Sequence, residues 1–329
     1  MRRQSAIDAW SVELARVDHY VEPGVARSLA FWWDDRRSPL ILEGPPGGGK
    51  TSLALKVARV RGASFYRLQC HKFLGASEAL YSWNDTLQTI AVNRQSEGGE
   101  VPDDVSGIIY DERMMVRGKL AQALADPHED VVLLIDELDK IPADEAFEAL
   151  LLEFLEEHAI TVAETNGRLR PKSGKPPRTI ITSNAGLAGG GVRESLSKPI
   201  QRRGIYIYLP EPEPERQCAV LRRAAPELSE SVIRDCVRFV WRSQKTVDMD
   251  KHIALSETIV WARKLQWLGV EQLAAEDVLD SIDILAKSLG DQERLTAAVR
   301  QIMKYVGDHR GDNLPQLSPA SEMLLPIAG

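Results

Sequence analysis

The stretch Pro39-Leu40-Ile41-Leu42-Glu43-Gly44-Pro45-Pro46-Gly47-Gly48-Gly49-Lys50-Thr51-Ser52 decides the fold. Its opening, Pro39 to Leu42, is a short apolar run of the kind that forms a buried strand, and beyond it Leu53, Leu55, Val57 and Val60 recur at roughly helical spacing. The octet from Gly44 to Thr51 therefore joins a strand to a helix. Glycines at such a junction let successive backbone N–H groups turn inward around phosphate oxygens, and the helix presents its positive end. In that geometry Lys50 reaches the terminal phosphates of a nucleotide and the Thr51 hydroxyl ligates magnesium. A glycine-rich turn can match by chance, but here every fixed position matches and both flanks are right. Gly44, Pro45, Pro46, Gly47, Gly48, Gly49, Lys50, Thr51 and Ser52 are thus the expected nucleotide-binding residues.

A second half of such a site follows at Val131-Val132-Leu133-Leu134-Ile135, five apolar residues closed by Asp136-Glu137. A continuous apolar run suits a central parallel strand buried on both faces, whose carboxyl edge is where ligands of these sheets bind. Asp136 there would hold the magnesium shell and Glu137 would polarise the attacking water. Thr179-Ile180-Ile181-Thr182-Ser183-Asn184 reads as another buried strand. If it neighbours the acidic one, Asn184 lies beside the γ-phosphate and orients the water or senses the phosphate.

The remaining pattern builds around these strands. Residues 1–38 read as two helices, the second from Val21 to Asp34, with Trp32 and Trp33 packing on the core or lining an adenine pocket. Ala63 to Gln69 alternates like a strand. Leu74 to Asn84 reads as a helix, and Thr86 to Val92 alternates in a β manner, so the region 75–110 reads as an insertion holding a small hairpin. Helical pattern resumes from Glu112 to Ala125, and a further amphipathic helix carries Phe147, Leu150, Leu151, Phe154 and Leu155. Ile160-Thr161-Val162 and the Asn166-Gly167 turn predict a hairpin near 158–170. The basic residues after it, Arg168, Arg170, Lys172, Lys175 and Arg178, read as a solvated loop or as a substrate-contacting element. Arg202-Arg203-Gly204 precedes a last strand, Ile205 to Leu209, and Pro210-Glu211-Pro212-Glu213-Pro214 cannot continue it. The expected division is a core of residues 1–211, a helical domain of 212–310 and a flexible tail of 311–329. Gly269 and Gly290 are the expected helix-ending residues.

At 329 residues the chain is long enough for two cores. Lysine plus arginine number 41 against 48 for aspartate plus glutamate, a formal charge of −7 that argues against nucleic acid as the main partner. Cys70, Cys218 and Cys236 are far apart, without metal-ligand spacing, and read as buried thiols of a reducing cytosol. No apolar run reaches the length of a membrane span, so a cytoplasmic protein without a membrane partner is expected.

The order of these signatures resembles that of the AAA+ ATPases: phosphate loop, acidic strand, asparagine-ended strand, arginine pair, helical lid. Closer wording narrows the likeness. The runs Leu68-Gln69-Cys70, Ala79-Leu80-Tyr81-Ser82-Trp83-Asn84, Leu133 to Glu137, Glu148-Ala149-Leu150-Leu151-Leu152-Glu153, Thr182-Ser183-Asn184 and Ser256-Glu257-Thr258-Ile259-Val260-Trp261-Ala262-Arg263 resemble the MoxR-like branch. The resemblance implies an α/β P-loop core with a parallel sheet flanked by helices and an all-α lid. It implies Mg2+-dependent hydrolysis of ATP through Lys50, Glu137 and Asn184, in a ring usually of six subunits. Arg203 matches the family's arginine finger, which completes a neighbouring subunit's site, with Arg202 as fallback. A chaperone-like role is also implied, commonly with a partner that carries a von Willebrand A domain. No clear arginine stands for the second sensor, where Ser256-Glu257-Thr258 lies, and Lys251 or Arg263 would have to substitute. Two other readings stay open: a nucleic-acid-linked NTPase such as a restriction system's GTP-using motor, and an assembly module that binds nucleotide with little turnover.

Overall fold

The computed structural model describes residues 2–17, 19, 21–96, 106–142, 145–184 and 196–314. It divides into two compact units, one of residues 1–45 and 49–209 and the other of 46–48 and 210–329. The first unit opens with α1 (Arg2–Arg16) and α2 (Pro23–Asp35), then β1 (Leu40–Glu43), α3 (Lys50–Val60) and β2 (Ser64–Gln69). Next come α4 (Ala76–Ala79), β3 (Tyr81–Trp83), α5 (Asp85–Ser96), α6 (Ser106–Ile109), β4 (Met115–Arg117) and α7 (Lys119–Ala125). It closes with β5 (Val131–Asp136), α8 (Glu145–Glu157), β6 (Ile160–Val162), β7 (Gly167–Leu169), β8 (Arg178–Ser183), α9 (Lys198–Arg203) and β9 (Ile205–Tyr208).

Five strands form one parallel sheet in the order β2-β5-β8-β1-β9. Every residue of β5 is buried, as its continuous apolar run requires, and each large aliphatic side chain there contributes about 1.5–3 kcal/mol by leaving water. One face of the sheet packs Leu133 and Ile135 against Leu120, Leu124, Leu151 and Phe154 of α7 and α8. The other packs Val132 and Leu134 against Leu29 and Trp32 of α2 and Leu53 and Val57 of α3. Trp32 is therefore core. Trp33 meets Trp10 edge to face and lies under the Arg178 guanidinium.

The insertion differs from the sequence reading. Leu74 to Asn84 is a single short turn, α4, followed by β3, because Tyr81 to Trp83 pair antiparallel with Met115 to Arg117. The expected local hairpin at Thr86 to Val92 is instead helix α5. Asn84 starts it: its side chain accepts the Leu87 N–H and its carbonyl the Gln88 N–H. The loop at residues 97–100 lies outside the described residues. Glu112 to Ala125 is not one helix either. A 3-10 turn at Glu112–Met114 leads into β4, and α7 begins only after Gly118, where a side chain would collide with the carbonyls of Glu78 and Ala79.

The hairpin of β6 and β7 forms as expected, with Asn166 in the left-handed region at φ 50°. Three of the five residues of its basic flank are paired. Arg168 meets Glu157, Lys175 meets Glu129, and Arg178 is buried in β8 with its Nη1 2.7 Å from Asp130. Arg178 is thus no part of a solvated loop, because burial without a counter-charge would be costly and Asp130 supplies one.

The second unit holds α10 (Pro214–Ala224), α11 (Glu230–Thr246), α12 (Leu255–Trp267), α13 (Ala275–Leu279), α14 (Ile282–Leu285) and α15 (Leu289–Asp308). Its core joins Cys218 and Leu221 of α10, Val237 and Phe239 of α11, Trp261 of α12 and Val299 and Ile302 of α15. Gly269 ends α12 at φ 68°. Gly290 ends nothing: it lies in the first turn of α15, which Ser288 caps by accepting the Asp291 N–H. Leu314 is buried, and Arg238 donates to the Asp312 carbonyl at 2.5 Å. Pro315, Pro319 and Pro326 lie outside the described residues. All three cysteines are buried, and none forms a disulfide. Among the described residues no helix is long and apolar enough to cross a membrane.

Candidate active site

Parallel pairing of β5 with β8 and of β8 with β1 brings three strand ends together at the carboxyl edge of the sheet. The chain leaves β1 through Gly44, and Gly49, at φ 88°, turns it directly into α3. Gly44 is fixed by close approach as well as by φ, since a Cβ there would strike the Leu209 carbonyl oxygen. His19 stands beside the turn, 3.5 Å from where a Gly49 Cβ would be.

Lys50 is buried, and its ammonium donates to the carbonyls of Gly44 and Pro45 at 2.8 Å each and to Asn184 Oδ1 at 2.7 Å. An ammonium has three protons, so all are committed. Burial pushes the Lys50 pKa below its ordinary value, and the carboxylates of Asp139, Glu137, Asp136 and Glu43 oppose that fall. Asn184 follows the end of β8, and its own N–H donates to Asp139 Oδ1 at 2.9 Å. The lysine of the phosphate loop and the strand-end asparagine thus meet directly.

Asp136 is fully buried. Its Oδ1 accepts from the Thr51 hydroxyl at 2.9 Å and from the Thr182 hydroxyl at 2.5 Å. Thr182 in turn accepts the Glu137 N–H at 2.8 Å, which ties the acidic pair to the neighbouring strand. Glu137 itself sits at φ 56°, a conformation that costs a non-glycine residue on the order of 1–3 kcal/mol and persists where surroundings enforce it. Its carboxylate accepts from Gln69 Nε2 at 3.0 Å. Arg67 donates through Nε to Asp136 Oδ2 at 2.8 Å and also contacts Gln69 Oε1. Two hard oxygens, the Asp136 carboxylate and the Thr51 hydroxyl, suit magnesium, which takes its other ligands from water and phosphates.

Arg203 sits elsewhere on this unit, at the end of α9, half-exposed, with Nη2 3.0 Å from Glu156 Oε2 and Nη1 donating to the Pro199 carbonyl. Arg202 is exposed. In the helical unit, Lys251 lies 3.7 Å from Glu257, and Arg263 Nε donates to the Ala224 carbonyl at 3.4 Å. Trp261 is core. Sequence reasoning missed Arg67, Gln69, Asp139, Thr182 and His19. The first two sit on an alternating strand, Thr182 two residues before the asparagine, and Asp139 just past the acidic pair.

Residues 39–203 match the family model described as AAA domain (dynein-related subfamily), about half of the chain. Among solved structures, the chain is similar to the Thermotoga maritima RuvB Holliday junction branch migration motor, at 15% identity over 89% of this chain and 83% of that one, with a TM-score of 0.45. A proline-to-glycine mutant of the same Thermotoga maritima protein matches at 17% identity over 90% and 85% of the two chains, with a TM-score of 0.47. Similarity at that level says nothing about activity.

Proposed function

The chain belongs to the AAA domain family (dynein-related subfamily), and from that premise we propose that it is a Mg2+-dependent ATPase of the MoxR-like kind, working as a ring of about six copies. The observation that carries the reading is the junction of Gly44, Lys50, Thr51, Asp136 and Asn184 at one edge of the sheet, with every side chain held by another member of the set. In this reading residues 44–52 cradle the phosphates, Lys50 faces the terminal ones, and Thr51 with Asp136 holds the cation. Glu137 takes a proton from the attacking water as Asn184 orients it. Magnesium, when bound, supplies charge neutralisation at the phosphate oxygens. Arg203 acts on a neighbouring copy's nucleotide, where a guanidinium stabilises the charge that develops in the transition state.

Residues 1–211 act as the nucleotide-binding core and 212–310 as a helical lid, whose movement with nucleotide state remodels or activates a client protein. A protein with a von Willebrand A domain is the proposed client, on the strength of the MoxR-like runs at Leu68-Gln69-Cys70 and Thr182-Ser183-Asn184. The test compares the parent chain with Glu137→Gln and Lys50→Ala. Glu137→Gln is expected to bind ATP as the parent does and to stop turning it over, and Lys50→Ala to lose binding. Turnover of Glu137→Gln at the parent rate would remove Glu137 from the reaction.

A further inference from the structure

Arg67 has no part in the scheme above, yet it bonds Asp136 directly and reaches Glu137 through Gln69. It projects from β2, whose register sets Gln69 beside Asp136. Its Nε lies 2.8 Å from Asp136 Oδ2 and its Nη2 2.5 Å from the same oxygen. Nη2 also contacts Gln69 Oε1, and that contact turns the amide so that Nε2 donates to Glu137 Oε2 at 3.0 Å. The other oxygen of Asp136 is filled by Thr51 and Thr182. Both oxygens of a carboxylate with no exposed surface are therefore taken, one by hydroxyls and one by a cation. Arg67 is the outer member, its side chain 48% exposed, so it can leave where the threonines cannot.

From this geometry we infer that Arg67 is the resting-state counter-cation of the Asp136–Glu137 pair, a positioning residue that a divalent metal must displace from Asp136 before nucleotide is held tightly. The inference rests on the ATPase reading and deepens it. Two adjacent carboxylates repel each other, and the guanidinium adds its charge to that of the Lys50 ammonium in offsetting the repulsion. A dication and a guanidinium on one carboxylate repel in turn, so binding of the metal and release of Arg67 are coupled. Release of Arg67 also frees the Gln69 amide, which loosens the hold on Glu137. One displacement thus readies both acids.

The experiment measures the affinity of the whole chain for a fluorescent ADP analogue as free Mg2+ is raised from zero in chelator. Arg67→Met keeps the aliphatic stem and removes the charge. Its midpoint for Mg2+-enhanced binding is expected to fall by about threefold to tenfold, the scale of one partly exposed charge-assisted contact. Affinity without Mg2+ is expected to stay at the parent value. An arginine that merely supported the fold would weaken binding with and without Mg2+ and leave the midpoint in place. Gln69→Leu removes the amide's contacts to both Arg67 and Glu137 but leaves Arg67 on Asp136, and its midpoint is expected to fall by less than that of Arg67→Met. If Arg67→Met does not fold, Arg67→Lys keeps the charge without the fork and is expected to lower the midpoint by a smaller factor. A parent that shows Mg2+-enhanced binding with an unmoved or raised midpoint in the arginine variants overturns the inference alone. A parent that binds no nucleotide at any Mg2+ concentration overturns the ATPase reading with it.

Discussion

Replacing Asn184 by alanine should separate binding from chemistry in an unusual direction. In the resting site Asn184 accepts one of the three protons of the Lys50 ammonium at 2.7 Å, and the loop carbonyls of Gly44 and Pro45 accept the other two. A phosphate that engages Lys50 must take over at least one of these bonds, and Asn184 is the side chain free to give way. A hydrogen bond to a charged group contributes about 1.5–3 kcal/mol net. Water entering the space left by the amide would restore part of that, so about 1 kcal/mol of resting-state stabilisation is lost in the variant. The nucleotide no longer competes with that bond. Affinity for ADP by titration calorimetry is therefore expected to hold or tighten, by up to about fivefold. Turnover by phosphate release is expected to fall by more than about tenfold, because in the proposed mechanism the Asn184 amide orients the attacking water. A tenfold loss of ADP affinity in Asn184→Ala, with the fold intact by circular dichroism, would refute the argument that the asparagine competes with phosphate for Lys50.

Three further expectations follow from the same geometry. Burial lowers the Lys50 pKa from its ordinary 10.5, so between the lowered value and 10.5 the unfolded chain binds a proton that the folded chain does not. In that window this group makes stability rise with pH as nucleotide affinity falls, and a dissociation constant that stays flat up to pH 10.5 would contradict it. Gly44→Ala places a methyl group against the Leu209 carbonyl and should cost about 1–3 kcal/mol in urea unfolding, with an unchanged midpoint as the contrary result. Arg203→Ala should lower turnover more than about tenfold with affinity nearly unchanged, and mixing it with Lys50→Ala subunits should restore part of the activity. No recovery under proven subunit exchange would mean that Arg203 does not act on a neighbour.

How far the sequence discloses this molecule depends on the distance over which each feature is determined. The runs at Leu40 and Val131 are legible because a strand buried on both faces is largely apolar, a local requirement, and the run at Thr179 because Ile180 and Ile181 form its centre between buried polar residues. Lys50, Thr51, Asp136 and Asn184 are legible for the same reason, since each stands at a fixed offset from a strand end. The insertion is not, because β3 and β4 are three residues each and find one another across more than thirty intervening positions. Alternation at Thr86 to Val92 failed as a signal because seven residues fit a period of 2 and a helical turn almost equally well, and the decision fell to the Asn84 cap. Arg67 and Gln69 stayed hidden for a related reason. In the sequence they are outward residues of an ordinary alternating strand, and only the pairing of Gln69 with Asp136 sets them against the acidic pair. The groups proposed to hold phosphate and metal are fixed by their own strand and loop, whereas the groups that contact them from β2 reach them across the sheet. The second kind becomes visible only once register is known, so the strands flanking an acidic one are where further residues of this site should be sought.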